Sequence, residues 1–128
     1  MHHVRELTMR ELKLLLLLRR APYDGVYVPE ALDAALVAAA FELKVSILLL
    51  DDAVFGLLPD QRADLIGRRT VGKLLLALPD YEIERVYVCG DSLSSRGLHA
   101  GDTVIPVQVL SAGEQAELFG SHDIVWND

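Results

Sequence analysis

The strongest constraint on the fold is a series of short apolar runs that alternate with segments of helical character. Three such runs, 12–18, 44–50 and 84–89, are predicted to be buried strands, because charged residues, glycine or proline close each one before it reaches the length of an ordinary helix. Runs that are apolar throughout, rather than at alternate positions, are typical of strands covered by helices on both faces of a sheet. The pattern therefore predicts an α/β domain.

The segments between these runs supply the rest of the fold. Helices are predicted at 31–43, 70–78, from 93 onward and at 112–119, with a short helical turn at 55–58 and further strands at 103–109 and 122–126. The predicted helix caps are Thr70, Ser92 and a capping box of Ser111 with Glu114, and Gly97 is predicted to end its helix in a left-handed conformation. Strands that alternate with helices predict a parallel sheet with right-handed crossovers. We expect residues 1–10 to form a flexible tail and 11–128 a single domain, with a loop at 61–69.

The composition narrows the functional classes. The net charge is −7, which argues against autonomous nucleic-acid binding. No lysine or arginine follows Arg96, so the chain has a basic start and an acidic end; these are either solvated faces or complementary patches for subunit docking. A single cysteine excludes an internal disulfide and a multi-cysteine zinc site, and the four histidines lack metal-ligand spacing. We expect no metal, no cofactor, no membrane span and a cytoplasmic location.

Candidate binding residues follow the first three predicted strands. In parallel sheets, ligands bind outside the carboxyl ends of the strands, and three loops are predicted to share that edge. The first contains Tyr23, the second begins with Asp51 and Asp52, and the third comprises residues 89–92. The two aspartates either cap a helix or form a pair of functional carboxylates, and Tyr23 either contacts a ligand or packs. No glycine-rich phosphate loop follows the first strand, so nucleotide binding has little support.

Cys89 is the most informative of these residues, because it ends a predicted strand ahead of a predicted helix. Helix N–H groups favour a reactive thiolate, and Gly90 would allow a partner to approach closely, with Ser92 alongside. The neighbouring charge of Asp91 opposes thiolate formation. The alternative is that Cys89 is a small buried hydrophobic residue, as free cysteines often are.

Several segments resemble the DsrF/TusC branch of the DsrE-like sulfur-relay proteins. They are RRAPYDGVY with EALDAAL at 19–36, VSILLLDDAVFGLLPDQ at 45–61, LPDYEIERVYV at 78–88, DSLSSRGL at 91–98 and HDIVW near the end. The resemblance implies a three-layer α/β/α sandwich with a five-stranded, mostly parallel sheet. It also implies a cytoplasmic hetero-oligomer with DsrE/TusD-like and DsrH/TusB-like subunits, which passes persulfide sulfur towards tRNA 2-thiouridine or within sulfur oxidation.

The same resemblance bears on Cys89 in two ways. In the DsrE/TusD branch the sulfur-carrying cysteine starts a Cys-x₆-Arg-Gly stretch, and Cys89 stands at that spacing from Arg96 and Gly97. Members of the DsrF/TusC branch are not thought to depend on a cysteine here.

Two hypotheses follow: Cys89 carries sulfur as a sulfurtransferase would, or the domain is a non-catalytic subunit that positions a partner's cysteine. A third is a small-molecule site formed by Tyr23, Asp51 and Asp52. The high aliphatic content predicts association with those partners or with itself.

Overall fold

Five strands pair in parallel to form the sheet, as the sequence pattern predicts. The computed structural model describes residues 12–22, 27–59 and 71–127. The strands are β1 (Lys13–Leu18), β2 (Lys44–Leu49), β3 (Arg85–Cys89), β4 (Gln108–Leu110) and β5 (Ile124–Asn127). They lie in the order β4-β3-β2-β1-β5, and every pairing is parallel. Cys89 therefore ends an interior strand, flanked by β2 and β4.

Helices cover both faces of this sheet and give the three-layer α/β/α arrangement. The described α-helices are α1 (Tyr27–Ala40), α2 (Val71–Ala77), α3 (Gly90–Ser95) and α4 (Ala112–Gly120). Three short 3₁₀ helices, Asp51–Leu57, Leu78–Tyr81 and Ala100–Asp102, lie in the connections. Within the described residues, no helix combines the length and the apolar character that a membrane span needs.

The two faces of the sheet carry cores of very different size. The first face, with Leu14, Leu16 and Leu18 of β1, packs against α1, α2 and α3 in one large apolar core. The second face, with Leu15, Leu17 and Leu48, forms a small core to which α4 contributes Leu118. Strand order explains this division: the chain moves in one direction from β1 to β4 and then returns across the whole sheet to β5. Right-handed crossovers consequently place α4 on the second face, opposite the other described α-helices.

Two local predictions prove wrong. The strand predicted at 103–109 is present only as β4, because the N–H of Val104 donates to the carbonyl of Leu57 at 2.7 Å instead of joining the sheet. Pro106 has no N–H to give to a strand pairing, which also keeps this segment outside the sheet. The short helix predicted from Leu93 begins at Gly90, so Ser92 lies inside α3 and does not cap it.

Other helix signals are confirmed. Ser111 and Glu114 form a reciprocal capping box at the start of α4. Gly97 has a φ of 68° after α3, a left-handed conformation that glycine adopts without steric cost.

The helix predicted at 31–43 is shifted toward the amino terminus, and the helical turn predicted at 55–58 is the end of a 3₁₀ helix that starts at Asp51. Thr70 and the predicted loop at 61–69 lie outside the described residues.

Candidate functional site

Cys89 lies where β3 meets α3, at the carboxyl end of the sheet. Its backbone is extended, with φ −71° and ψ 119°, and it occupies the N-cap position of the short helix that follows. Alternation along β3 places its side chain on the same face as Tyr87, which is the second face. The residue is 9% exposed, so it is largely buried but retains some access to solvent.

Hydrogen-bond donors surround this thiol from two helices. Burial by itself raises the pKa of Cys89, because it penalises the charged thiolate. Hydrogen bonds from the side chain and backbone of Ser92, the side chain of Gln115 and the backbone of Asp91 act in the opposite direction. The donors outweigh burial, so the pKa of Cys89 lies below that of an ordinary thiol. This environment favours the thiolate, which is the nucleophilic form of cysteine.

Ser92 connects the thiol to the neighbouring strand. Its hydroxyl oxygen accepts a hydrogen bond from the backbone N–H of Asp51 at 2.9 Å, and the residue is buried. A hydroxyl that accepts one bond still has its own hydrogen to donate. The Ser92 hydroxyl therefore holds the turn after β2, and its own hydrogen is available to lower the pKa of Cys89, a role different from the predicted helix cap.

Asp51 and Asp52 lie on the same edge of the sheet, and each carboxylate is paired with an arginine. Arg19 donates from Nε to Asp51 at 3.1 Å, and Arg96 donates from Nε and Nη2 to Asp52 at 3.1 and 2.9 Å. The N-cap position of the 3₁₀ helix is Leu50, which makes no side-chain cap. The capping interpretation of the two aspartates is therefore wrong: their carboxylates bind arginines across the edge of the sheet.

Arg96 ties the loop after β3 to the loop after β2. Besides Asp52, its Nη1 donates to the carbonyl of Ser92 at 3.2 Å and to the hydroxyl of Ser95 at 3.1 Å. Its side chain is only 23% exposed, so these bonds form partly out of solvent. Arg96 thereby holds the carboxyl end of α3, whose amino end carries Cys89.

Gly90, the first residue of α3, packs closely against the edge strand β4. A Cβ at this position would lie 3.1 Å from Cγ1 of Val109 and 3.4 Å from the carbonyl oxygen of Leu110. The space beside its α-carbon is thus filled by the edge strand, in which Leu110 pairs with Cys89.

The remaining candidates lie elsewhere. Tyr23 falls outside the described residues. A cavity of about 650 Å³ opens at the amino ends of the strands, where Lys13, Lys44 and Arg85 line it together with Glu82 and Glu84, so it does not include Cys89. Among the described residues, no group of three histidine, cysteine, aspartate or glutamate side chains could hold a metal ion.

Sequence reasoning missed Gln115. It lies 26 positions after Cys89, and only the return of the chain from β4 through α4 brings the two together. The one local signal is that Gln115 is three residues before Leu118, in line with the side of α4 that faces the sheet. A polar residue in that line suggests a buried polar contact, but only the register between β3 and β4 identifies its partner.

Comparisons with known proteins agree with this fold. The model of the DsrE/DsrF-like family matches residues 12–126. The intracellular sulfur oxidation protein DsrF of Allochromatium vinosum is 42% identical, with 90% of this chain and 95% of the relative covered. A TusC homolog of Pseudomonas aeruginosa is 36% identical over 88% of this chain and 94% of its own. The crystal structure of the YchN protein from E. coli shares the fold, with a TM-score of 0.79 at 22% identity over 91% of this chain and 99% of that one. The chain belongs to the DsrE/DsrF-like family, as the resemblance of its segments predicts.

Proposed function

We propose that this chain is a subunit of a sulfur relay and that Cys89 carries the sulfur as a persulfide. The observation that carries the proposal is the placement of the chain's one cysteine at the end of an interior strand, among donors that favour its thiolate. A relative named for intracellular sulfur oxidation and relatives named TusC homolog support the sulfur chemistry. The relay acts in the cytoplasm, either towards tRNA 2-thiouridine or within sulfur oxidation.

The transfer step needs only thiols and one sulfane sulfur. The Cys89 thiolate attacks the terminal sulfur of a donor persulfide, R–S–SH. A new S–S bond forms at Cys89, the donor's S–S bond breaks, and the donor leaves as the thiolate R–S⁻. Cys89 then holds –S–SH, and attack by a downstream thiolate on its outer sulfur releases the Cys89 thiolate again. No external oxidant or reductant enters, because the sulfane sulfur keeps its oxidation state.

Partner subunits are part of this proposal. DsrE/TusD-like and DsrH/TusB-like chains, or further copies of this chain, would cover apolar side chains that the isolated domain leaves exposed. Val37 on the outer side of α1 and Phe41, which directly follows this helix, are 57% and 64% exposed. The N–H of Phe41 donates to the carbonyl of Val37 at 3.1 Å, so the two residues are one helical turn apart. Leu76 on the neighbouring α2 is 57% exposed. Exposed apolar groups of this size are typical of protein interfaces.

The burial of Cys89 favours a second function, in which the chain is a structural subunit that positions a partner's cysteine. A thiol with 9% exposure can be reached by a small persulfide more readily than by a folded protein. In that case Cys89 would be dispensable and the exposed face of α1 would carry the function.

The test compares the chain with its Cys89→Ser variant, with partner subunits present. The proteins are treated with a persulfide donor, trapped with an alkylating reagent and analysed by mass spectrometry. Because Cys89 is the chain's one cysteine, any sulfur gained by this subunit identifies the site. We expect the unsubstituted chain to gain one sulfur atom and the variant to stop sulfur flow while the complex stays intact. Undiminished flow through the variant complex would instead establish the structural role.

A further inference from the structure

Gln115 is an unusual residue to bury in α4. It is 9% exposed and is the one buried residue of that nine-residue helix. An apolar side chain would fill the same space without the desolvation cost of a carboxamide. A buried glutamine is tolerated only where its hydrogen bonds are made, so the partners of its carboxamide indicate what it does.

One partner fixes the orientation of the carboxamide. Nε2 of Gln115 donates to the carbonyl oxygen of Leu110 at 3.3 Å. A carbonyl accepts hydrogen bonds only, so the NH₂ end must face β4, and this end carries a second N–H. Leu110 is the residue opposite Cys89 in the pairing of β3 with β4. Cys89 points to the face of the sheet that α4 covers, so this anchored carboxamide lies on the same side as the sulfur. The Gln115 side chain also contributes to lowering the pKa of Cys89, which agrees with this placement.

We propose that Gln115 is the positioning residue of Cys89: anchored on the Leu110 carbonyl, its carboxamide donates to the sulfur and holds it as a thiolate ready to accept a sulfane sulfur. The role in sulfur transfer rests on the proposed function, whereas the interaction between Gln115 and Cys89 does not depend on it. A neutral donor suits a relay, because it stabilises the thiolate without forming an ion pair that the incoming persulfide would have to break.

The charged groups around Cys89 leave this role to neutral donors. On the β1 and β2 side, Arg19 pairs with Asp51 and Arg96 pairs with Asp52. On α3, Asp91 is exposed and contributes its backbone N–H to the thiol. On α4, the carboxylate of Glu114 accepts from the backbone N–H of Ser111 at 2.9 Å.

The deciding experiment is the pH dependence of alkylation of the full chain by iodoacetamide, followed by mass spectrometry. We expect Gln115→Leu to move the midpoint to higher pH and to lower the rate constant at pH 7 about tenfold, since a hydrogen bond to a charged group is lost and one pKa unit is tenfold in thiolate. Above the pKa of an ordinary thiol the rate should equal that of the unsubstituted chain.

The matched control is Gln108→Leu, the same change at an exposed position on β4. It should leave the midpoint unchanged, which separates the contact with sulfur from any general effect of removing a glutamine. If Gln115→Leu folds and its midpoint equals that of Gln108→Leu, the positioning role is overturned.

A second measurement keeps the proposal testable if Gln115→Leu fails to fold. In the ¹⁵N-labelled chain with an unsubstituted Gln115, its side-chain NH₂ resonance should titrate with the thiol, and it should stay fixed over the same pH range in Cys89→Ser. If the chemical shift of this resonance does not change as the thiol titrates, the proposal is overturned.

The two proposals can fail separately. If the alkylation midpoint depends on Gln115 but the chain never accepts sulfur from a small persulfide, the relay function fails alone. A chain that loads sulfur with an alkylation midpoint independent of Gln115 retains the relay function and loses this inference.

Discussion

The two faces of the sheet differ in what they do for the molecule. The first face buries the large core beneath α1, α2 and α3, made of aliphatic side chains. The second face buries Leu15, Leu17 and Leu48 beneath α4, and at its carboxyl end it carries Cys89 with two buried polar residues, Ser92 and Gln115. Stability is thus concentrated on one face, and the polar contacts of the thiol lie on the other.

This division allows the site to keep polar groups that a main core would not tolerate. Buried hydroxyl and carboxamide groups cost free energy unless they are hydrogen bonded, and the bonds of Ser92 and Gln115 depend on the register of β2, β3 and β4. The large core on the first face fixes that register. We therefore expect substitutions at the site to cost less stability than substitutions in the core of the first face.

The largest expected contrast comes from two adjacent leucines of β1. Leu16 points into the first face and is fully buried, whereas Leu17 points to the second face and is 8% exposed. We expect Leu16→Ala to lower the free energy of unfolding by about 4 kcal/mol and Leu17→Ala by about 2 kcal/mol, because a cavity near the surface relaxes more easily. Urea denaturation of both variants gives the difference. Equal losses would mean that the two faces contribute alike.

A smaller effect is expected from the start of α4. Ser111→Ala removes one half of the capping box, in which the Ser111 hydroxyl accepts from the N–H of Glu114 at 3.2 Å. The expected loss is about 1 kcal/mol. Hydrogen exchange should show faster exchange in α4 with unchanged protection of β1 and β2. Ser121→Ala, at the other end of the same helix, is the matched control. Faster exchange throughout the sheet would show that the second face is not a separate unit.

The same division explains what the sequence could predict. The apolar runs of β1, β2 and β3 and the capping box of α4 depend on neighbouring residues, and they were predicted correctly. The carboxyl edge also follows from parallel pairing, which places Cys89 and the two aspartates together. The errors arose where a partner is distant in the chain. Ser92 serves Asp51 rather than its own helix, Val104 bonds to Leu57 rather than to the sheet, and Gln115 meets Cys89 only after a crossover.

The thiol also makes the stability of the protein depend on pH. The fold lowers the pKa of Cys89, so the unfolded chain binds more protons than the folded one between the folded and the ordinary thiol pKa. The stabilisation is complete above the ordinary thiol pKa of about 8.5 and is lost as pH falls through the folded pKa. The free energy of unfolding of the unsubstituted chain, relative to Cys89→Ser, should therefore rise with pH across this interval. A flat or falling difference, measured by urea denaturation under reducing conditions, would mean that the donors do not stabilise the thiolate.

The smallest expected effect concerns the contact between α3 and the edge strand. In Gly90→Ala the added Cβ meets Cγ1 of Val109 at 3.1 Å, so either the Val109 side chain or β4 must move by a few tenths of an ångström. Alanine is also the better helix former by about 1 kcal/mol, which opposes the cost of that contact. We expect Gly90→Ala to be slightly destabilising alone and stabilising when Val109→Ala removes the obstructing methyl group. A double-mutant cycle measures this coupling. Additive effects would show that the Val109 side chain moves away freely, and that the packing of Gly90 does not hold Leu110 opposite Cys89.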